Sequence, residues 1–357
     1  MKTLDHMHPS NLINKKGLVI AGPCSAESEE QLIQTALLLK QEGKTDVLRA
    51  GIWKPRTNPG YFEGAGTKAL SWLLKTKQIT GLPTAVEVAT SKHVEDALSF
   101  ETDILWLGAR TTVNPFSVQA VADTLRGTKT TVLIKNPVNP DIKLWIGAVE
   151  RLQKADVKNI GLIHRGFSSY GNSEFRNAPM WQIPIEMKRL FPELPMICDP
   201  SHICGNRINL LSVSQKSIDL DYTGWIIESH CNPENALTDK EQQLTPRALS
   251  VLLEKLQQKK SSSDENDFIN MLERLREQIN YLDEELIALI SNRMKVAKEI
   301  GEIKKENKVT ILQSSRYTEI MEKAIRRGNQ KGLSEDFIRK YMEAIHFESI
   351  RIQNVLL

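Results

Sequence analysis

The chain has 357 residues, and its 47 basic and 44 acidic side chains leave a net charge of +3. This balance does not favour a nucleic-acid partner, and no apolar run approaches the roughly 20 residues that a membrane span needs. Four cysteines without a Cys-X-X-Cys pair, and a polar start without the apolar segment of a signal peptide, predict a cytoplasmic protein without a disulfide framework.

Short apolar runs, each typical of a buried strand, recur through the first 258 residues. They cover residues 18–21, 47–48, 85–88, 104–107, 132–134, 160–163, 196–197 and 225–227. Helical stretches follow them at 29–41, 67–77, 91–99, 115–125, 140–154, 179–190, 208–217 and 246–257. Eight strand–helix units close a (β/α)8 TIM barrel, so we predict an α/β barrel over residues 1–258. An open doubly wound sheet is the alternative.

Each of these strands has a charged or metal-binding residue at its end or a few residues beyond it. These residues are Cys24, Arg49, Glu87, Arg110, Lys135, Arg165, His202 and Glu228. In a barrel of parallel strands all the carboxyl ends meet at one rim, which is where the active site lies. The pattern therefore predicts an enzyme with its active site at that rim.

The composition changes beyond the last of these units. Residues 257–266 contain no apolar side chain and predict a linker, which we place at 259–267. Apolar residues at three- and four-residue spacing then run from Phe268 to Ile303 and predict a helix of about 38 residues, roughly 57 Å long. Two shorter helices, near 314–327 and 334–355, complete a smaller all-α domain at 268–357. Because so small a domain cannot cover such a long helix, we expect a homodimer through it, with a higher oligomer also open.

The predicted rim is rich in cations. Arg49, Lys54 and Arg56 lie in one loop with the hydroxyl of Thr57, and three more cations are contributed by Arg110, Lys135 and Arg165. Arginine forks and lysine ammonium groups suit phosphate and carboxylate, so we expect small anionic substrates. Taken singly, each of these residues is explained as well by a solvated surface cation.

A second set combines a thiol, an imidazole and two carboxylates, in Cys24, His202, Glu228 and Asp239. Such groups hold a divalent metal with positions left for substrate oxygens. Each also has a plain structural interpretation, such as a helix N-cap for Asp239. The pair His230-Cys231 is a competing set of ligands.

Several motifs in order give a family resemblance. They are Gly22-Pro23-Cys24-Ser25, Lys54-Pro55-Arg56-Thr57, Gly108-Ala109-Arg110, Ile134-Lys135-Asn136, Asp199-Pro200-Ser201-His202 and the segment from Glu228 to Asp239. Over nearly all of residues 15–258 the chain resembles 3-deoxy-D-arabino-heptulosonate 7-phosphate (DAHP) synthases of type Iβ. The resemblance implies condensation of phosphoenolpyruvate with erythrose 4-phosphate, the first step of the shikimate pathway. It also implies the four-residue metal set, with Mn²⁺ as the expected ion.

Residue by residue, the resemblance implies a phosphoenolpyruvate site of Arg49, Lys54, Ala109, Arg110, Lys135 and Arg165. Lys54 is the expected catalytic residue of this group. Arg56 and Thr57 resemble the clamp for the phosphate of erythrose 4-phosphate. The sister enzyme that makes 3-deoxy-D-manno-octulosonate 8-phosphate is the alternative, since it shares the fold and the metal set.

In the predicted helical domain, Arg293 falls inside the apolar stripe, with Lys304 beside it and Arg276 at its margin. Long cationic side chains can pack their stems and keep their heads in water, or they can line a pocket for a dicarboxylate. The order Arg276, Arg293, Lys304, Arg316, Ser349 and Gln353 resembles the all-helical chorismate mutases.

That resemblance implies that Arg293, with Arg276 of the partner protomer, holds the carboxylates of chorismate. Lys304 and Gln353 would be the catalytic pair on the ether oxygen, and Arg316 and Ser349 would complete the site. Gln313 and Tyr317 stand where relatives often have acids. Two functions of this domain remain as alternatives. It is either a working mutase that forms prephenate or a regulatory module that binds chorismate or prephenate, and one domain could do both. Feedback inhibition of the barrel by either ligand follows as an expectation.

Overall fold

The structure, a computed structural model, describes residues 9–54, 60–169, 174–259 and 266–354. The chain divides into two compact units, Met1–Ser261 and Ser262–Leu357. Within the described residues no helix is long and apolar enough to cross a membrane.

The first unit is a closed barrel of eight parallel strands in sequence order, with the first strand paired to the last. The strands are β1 Leu18–Gly22, β2 Val47–Ala50, β3 Thr84–Val88, β4 Ile104–Leu107, β5 Thr131–Lys135, β6 Ile160–His164, β7 Met196–Cys198 and β8 Gly224–Glu228. The predicted TIM barrel is therefore confirmed, and the open sheet is wrong.

Helices surround the barrel and begin where local capping groups allow them to. They are α1 Pro9–Leu12, α2 Glu29–Glu42, α3 Lys68–Thr80, α4 Ser91–Ser99, α5 Ala109–Thr112, α6 Pro115–Leu125, α7 Ile142–Lys154, α8 Gln182–Leu190, α9 Pro200–Cys204, α10 Leu210–Asp219 and α11 Pro246–Glu254. The helix predicted to open at residue 140 instead begins at Ile142, because the side chain of Asp141 caps it by accepting from the backbone N–H of Lys143.

Two apolar clusters hold the barrel together, one on each face of the sheet. Side chains two residues apart alternate between them, so Leu18 and Ile20 lie in the inner cluster while Val19 and Ala21 lie in the outer one, against the helices. The inner cluster also contains Val47, Ala85, Leu133, Ile163 and Ile226. The residue two positions after each of these five, at the end of its strand or directly beyond it, is charged, so the inward-facing layer at the carboxyl rim is polar.

The second unit consists of α12 Asn266–Glu306, α13 Ser314–Gln330 and α14 Glu335–Asn354. The predicted long helix is present and has 41 residues. Met294 and Ala297 of α12 are buried, together with Met321 of α13 and Ile345 of α14. Nearer the start of α12, the predicted apolar stripe is largely exposed, including Ile279, Leu282 and Leu289.

Candidate active sites

The rim of the barrel carries buried charge in its inward-facing layer. Arg49, Glu87, Lys135 and Glu228 lie on β2, β3, β5 and β8, each two residues beyond a member of the inner apolar cluster. Arg49 and Lys135 lie over the ring of Trp106, at 5.0 Å and 5.7 Å from its centroid. These two buried cations need anionic partners, either within the protein or in a ligand.

Three predicted metal ligands lie together. One ligand atom from each of Cys24, Glu228 and Asp239 lies within 4.8 Å of the others, and the Cys24 sulfur is 3.2 Å from Oδ2 of Asp239. His202 approaches from α9, with its Nε2 at 3.6 Å from Oε1 of Glu228. The structure thus brings together all four residues of the predicted metal set.

The chemistry of this group fits a divalent cation. Oε1 of Glu228 is buried without a hydrogen-bond partner. Burial and the charge of Glu228 raise the pKa of the Cys24 thiol to about 12, and a coordinating metal removes such a proton. Burial lowers the pKa of His202 despite the neighbouring Asp199, which favours the neutral imidazole that binds metals.

Lys54 lies beside the thiol, with Nζ at 3.0 Å from the Cys24 sulfur. Burial would lower the pKa of the Lys54 ammonium, but Cys24 and Glu228 raise it above its usual value. Arg49 contributes from β2, with Nη1 at 3.4 Å from Oε1 of Glu228 and a hydrogen bond from Nη2 to the carbonyl oxygen of Cys24. Both cations therefore lie next to the metal ligands.

Asp199 joins the metal group to the cation of β5. It accepts from Nδ1 of His202 at 2.9 Å, and its Oδ2 lies 2.9 Å from Nζ of Lys135. Burial would raise the pKa of Asp199, but His202 and Lys135 hold it well below its usual range. The contact with Nδ1 leaves Nε2 of His202 directed at Glu228, as is usual for a histidine that binds a metal.

Arg165 follows β6 and is held by two asparagines. Its Nη1 donates to Oδ1 of Asn177 at 2.6 Å, and its backbone N–H donates to Oδ1 of Asn136 at 2.7 Å. Burial lowers the pKa of Arg165 to about 10, and Arg110 contributes to the lowering. Arg110 itself is exposed and Ala109 is half-buried, both in the short helix α5.

Arg56 and Thr57, the predicted phosphate clamp, lie outside the described residues. Sequence reasoning also missed several polar groups at the rim. Asp199 lies in the motif Asp199-Pro200-Ser201-His202, from which only His202 was predicted to act. Its position three residues before that histidine was the signal that could have identified it. Arg176, which donates to Oδ1 of Asp239 at 2.9 Å, gave no signal because it is distant in sequence.

The competing pair His230-Cys231 faces another direction. Nε2 of His230 lies 3.7 Å from Oε2 of Glu27, and the Cys231 sulfur lies 3.9 Å from the carbonyl oxygen of Gln31 in α2. Nδ1 of His230 accepts from the backbone N–H of Asn232. These contacts favour the four-residue set over the pair.

In the helical unit, α12 and α14 bring Arg293 and Ser349 into contact, and Gln353 follows Ser349 on α14, while Lys304 lies about three turns further along α12 than Arg293. Nη1 of Arg293 donates to Oγ of Ser349 at 2.7 Å, and Lys304 donates to the carbonyl oxygen of Ile311. Gln353 is buried, and its Oε1 has no hydrogen-bond partner. Its position one helical turn after Ser349 places both on the same face of α14.

Two other predicted residues of this unit lie apart. Arg316 is exposed and pairs with Glu319 at 2.7 Å. Arg276 lies 17 residues before Arg293 on the same helix (293 − 276), or about 25 Å away at 1.5 Å per residue. Within one chain Arg276 therefore cannot reach Arg293. Tyr317, at a position where relatives often have an acid, packs its ring at 4.3 Å from that of His346.

Comparisons with known proteins identify the family of each unit. The model of the DAHP synthetase I family matches residues 13–265, and that of chorismate mutase type II matches residues 275–354. The phospho-2-dehydro-3-deoxyheptonate aldolase of Thermotoga maritima is 30% identical over 238 residues, covering 67% of this chain and 68% of that protein. The 2-dehydro-3-deoxyphosphooctonate aldolase of Wolinella succinogenes is 25% identical over 273 residues, covering 67% and 97%.

Solved structures give the same result. A crystal structure of the Thermotoga maritima DAHP synthase matches with a TM-score of 0.60 and 28% identity, over 68% of each chain. A truncated form of the synthase from that organism matches with a TM-score of 0.58 and 26% identity, over 68% of this chain and 86% of that one. The octulosonate alternative is less supported than the heptulosonate one. The chain belongs to the DAHP synthetase I family, and it joins a DAHP synthase barrel to a chorismate mutase domain.

Proposed function

We propose that the barrel, residues 1–258, binds a divalent metal through Cys24, His202, Glu228 and Asp239, and that Mn²⁺ is the physiological ion. The meeting of these four groups around a buried oxygen of Glu228 that accepts no hydrogen bond carries the proposal. When bound, the ion supplies Lewis-acid polarisation of the sugar aldehyde.

Around the ion, the cations of the rim hold phosphoenolpyruvate. Arg49 and Lys135 both lie over the ring of Trp106, and Arg165 follows β6, the strand paired with that of Lys135. Their charges suit the phosphate and carboxylate of one small molecule. The backbone of Ala109 and the side chain of Arg110 complete this site, and Arg56 with Thr57 takes the phosphate of erythrose 4-phosphate. Fixing both substrates near each other lowers the barrier by orientation and by neutralising charge.

Lys54 is the proposed catalytic residue. Its ammonium lies 3.0 Å from the Cys24 sulfur and keeps its proton. It therefore stands where it can give that proton to a substrate oxygen beside the metal set.

Metal removal tests this assignment. Chelation should abolish DAHP formation and Mn²⁺ should restore it, while Cys24→Ala should lose activity and remain folded. Cys231→Ala is the matched control and should keep activity, because that thiol contacts α2 instead of the metal set. Full activity of rigorously metal-free protein would exclude the assignment.

We propose that the helical domain, residues 268–357 after a linker at 259–267, converts chorismate to prephenate. Arg293 and Ser349 hold a carboxylate, Lys304 and Gln353 bond the ether oxygen, and Arg316 moves onto the substrate from its present contact with Glu319. The buried, unpartnered Oε1 of Gln353 beside this group supports a ligand site. The reaction needs orientation and charge stabilisation only.

Arg293→Ala should remove mutase activity and leave the barrel reaction intact. Arg326→Ala, at an exposed position on α13, is the matched control and should retain both. An Arg293→Ala variant that forms prephenate at the normal rate would show that this cation only packs its stem.

We also propose that two copies of the chain pair through α12. The apolar residues near its start are exposed among the residues that the structure describes, and Arg276 lies too far from Arg293 to act in the same chain. A second copy would supply both the cover and that arginine. Leu282→Glu should then give a monomer in sedimentation and lose mutase activity, whereas Glu302→Lys on the same helix should remain a dimer. A wild-type monomer with full mutase activity would refute the pairing.

Prephenate or chorismate at Arg276, Arg293 and Lys304 is further proposed to inhibit the barrel. Coupling between sites is reciprocal, so barrel substrates should weaken binding of the helical-domain ligand by the same factor. Prephenate should inhibit the full chain and not a version ending at Lys260. Equal inhibition of both, or inhibition of neither, would remove the helical domain from this account. The predicted cytoplasmic location rests on the sequence alone.

A further inference from the structure

Two consecutive glutamines lie against the metal set, in the segment between Asp239 and α11. Gln242 and Gln243 are both fully buried. The next residue, Leu244, binds this segment to the end of β8, since its N–H donates to the carbonyl oxygen of Glu228 and its own carbonyl accepts from His230. A buried amide is costly unless its donors and acceptors are paired, so the partners of these glutamines matter for the site.

Gln242 binds one oxygen of Glu228. Its Nε2 donates to Oε2 of Glu228 at 2.7 Å, and its Oε1 accepts from Nη1 of Arg176 at 3.0 Å. The same Nη1 donates to Oδ1 of Asp239 at 2.9 Å. One oxygen of each carboxylate is thereby occupied. The other oxygens, Oε1 of Glu228 and Oδ2 of Asp239, are left facing the thiol and imidazole.

Gln243 acts on the opposite side of the set, through the backbone. Its Oε1 accepts from the N–H of Cys24 at 2.8 Å, and its Nε2 donates to the carbonyl oxygen of Thr238 at 2.8 Å. The hydroxyls of Thr238 and Ser25 are also hydrogen-bonded to each other. Gln243 thus connects the loop after β1, which carries the thiol, to the loop that carries Asp239.

We propose that Gln242 and Gln243 are positioning residues that hold Cys24, Glu228 and Asp239 in the geometry a divalent cation requires. This inference rests on the proposed metal site and adds to it the groups that orient the ligands. Gln242 selects which oxygen of Glu228 is available, and Gln243 sets the distance between the thiol and Asp239. Neither glutamine belongs to the proposed set of ligands.

The experiment measures binding of Mn²⁺ to the metal-free full-length protein by calorimetry, with no substrate present. Gln242→Met and Gln243→Met keep side-chain length and remove the hydrogen bonds. Each should weaken Mn²⁺ binding by about 10- to 100-fold, the usual effect of losing a group that orients a ligand. Gln119→Met is the matched control, because its amide bonds Asp123 and Arg151 on the outer helices, and it should bind Mn²⁺ normally.

A second measurement separates positioning from general stability. Co²⁺ bound to a thiolate absorbs in the near ultraviolet, and Gln243→Met should weaken this band at saturating Co²⁺ because the Cys24 backbone is no longer held. The midpoint of thermal unfolding without metal should fall modestly in both glutamine variants, because each leaves a buried partner without its hydrogen bond, and this fall should not account for the loss of Mn²⁺ affinity. If a Met variant does not fold, Gln242→Asn or Gln243→Asn replaces it, since the shorter amide reaches neither partner, and the same loss of affinity is expected.

Normal Mn²⁺ affinity in both glutamine variants would overturn the positioning role. So would a lowered unfolding midpoint without any loss of affinity, which is the mark of a purely structural residue. A wild-type protein that binds no divalent cation would instead refute the metal site itself, so the two failures are distinguishable.

Discussion

The buried ion pair between Lys135 and Asp199 gives a prediction whose size follows from the structure. The two charged groups are 2.9 Å apart, and their side chains are 4% and 0% exposed. Replacing Asp199 by Asn removes the negative charge but keeps an acceptor for the ring of His202. An ammonium group is then left buried without a counter-charge, which costs about 3–5 kcal/mol of folding free energy.

That cost has an upper limit, because a buried ammonium without a partner releases its proton. For an ordinary lysine at pH 7 this release costs about 4.6 kcal/mol, and at pH 9 about 2 kcal/mol. In the variant the unfolded chain then binds one more proton than the folded chain, so stability relative to the wild type should rise with pH. The loss for Asp199→Asn should therefore be smaller at pH 9 than at pH 7.

The assay is urea unfolding of metal-free protein at both pH values, for Asp199→Asn, Lys135→Met and the double variant. Removing both charges should be less harmful than the sum of the single losses, with a coupling energy of about 2 kcal/mol or more. Asp96→Asn is the matched control, since its partner Lys92 is 73% exposed and the pair should contribute less than about 1 kcal/mol. Additive losses, or a loss independent of pH, would refute the reasoning.

Other predictions concern the barrel core and the rim. Burial lowers the pKa of His164 to about 4 from 6.5, so the stability it confers is present above pH 6.5 and is lost as pH falls through 4. Between pH 7.5 and 5, protonation linked to His164 should lower the unfolding free energy of the wild type by about 2 kcal/mol. In urea unfolding, His164→Gln should lack this loss, and an unchanged pH slope in the variant would contradict the assignment. A Cβ added to Gly51 would lie 2.3 Å from the carbonyl oxygen of Cys24. Gly51→Ala should therefore weaken Mn²⁺ binding at least about 10-fold, whereas Gly147→Ala, where nothing lies within 4 Å of the added carbon, should be neutral or slightly stabilising. Equal Mn²⁺ affinity in the two glycine variants would show that the approach of β1 to β2 does not set the thiol's position.

The architecture was predictable from sequence because it depends on local patterns. Strand runs such as 104–107 are buried on both faces and read as continuous apolar segments, and their regular alternation with helices predicts a barrel. The charged residues at Arg49, Lys135 and Glu228 were predictable for the same reason, since each continues the inward-facing period of its strand. Helix starts shifted by a few residues where a cap decided them, as Asp141 does for α7.

What only the tertiary structure decided is which groups pair with which. Asp199 meets both Lys135 and His202, Arg176 meets Asp239, and Gln242 meets Glu228, although these partners are separated in sequence and belong to different elements. No periodicity encodes such pairs, because they depend on how closing the barrel brings the loops together. Composition and spacing determined that this chain carries a cationic rim and a set of metal-binding residue types. The closed barrel decided which oxygen of each carboxylate faces the thiol and the imidazole, because only packed neighbours can occupy the other one.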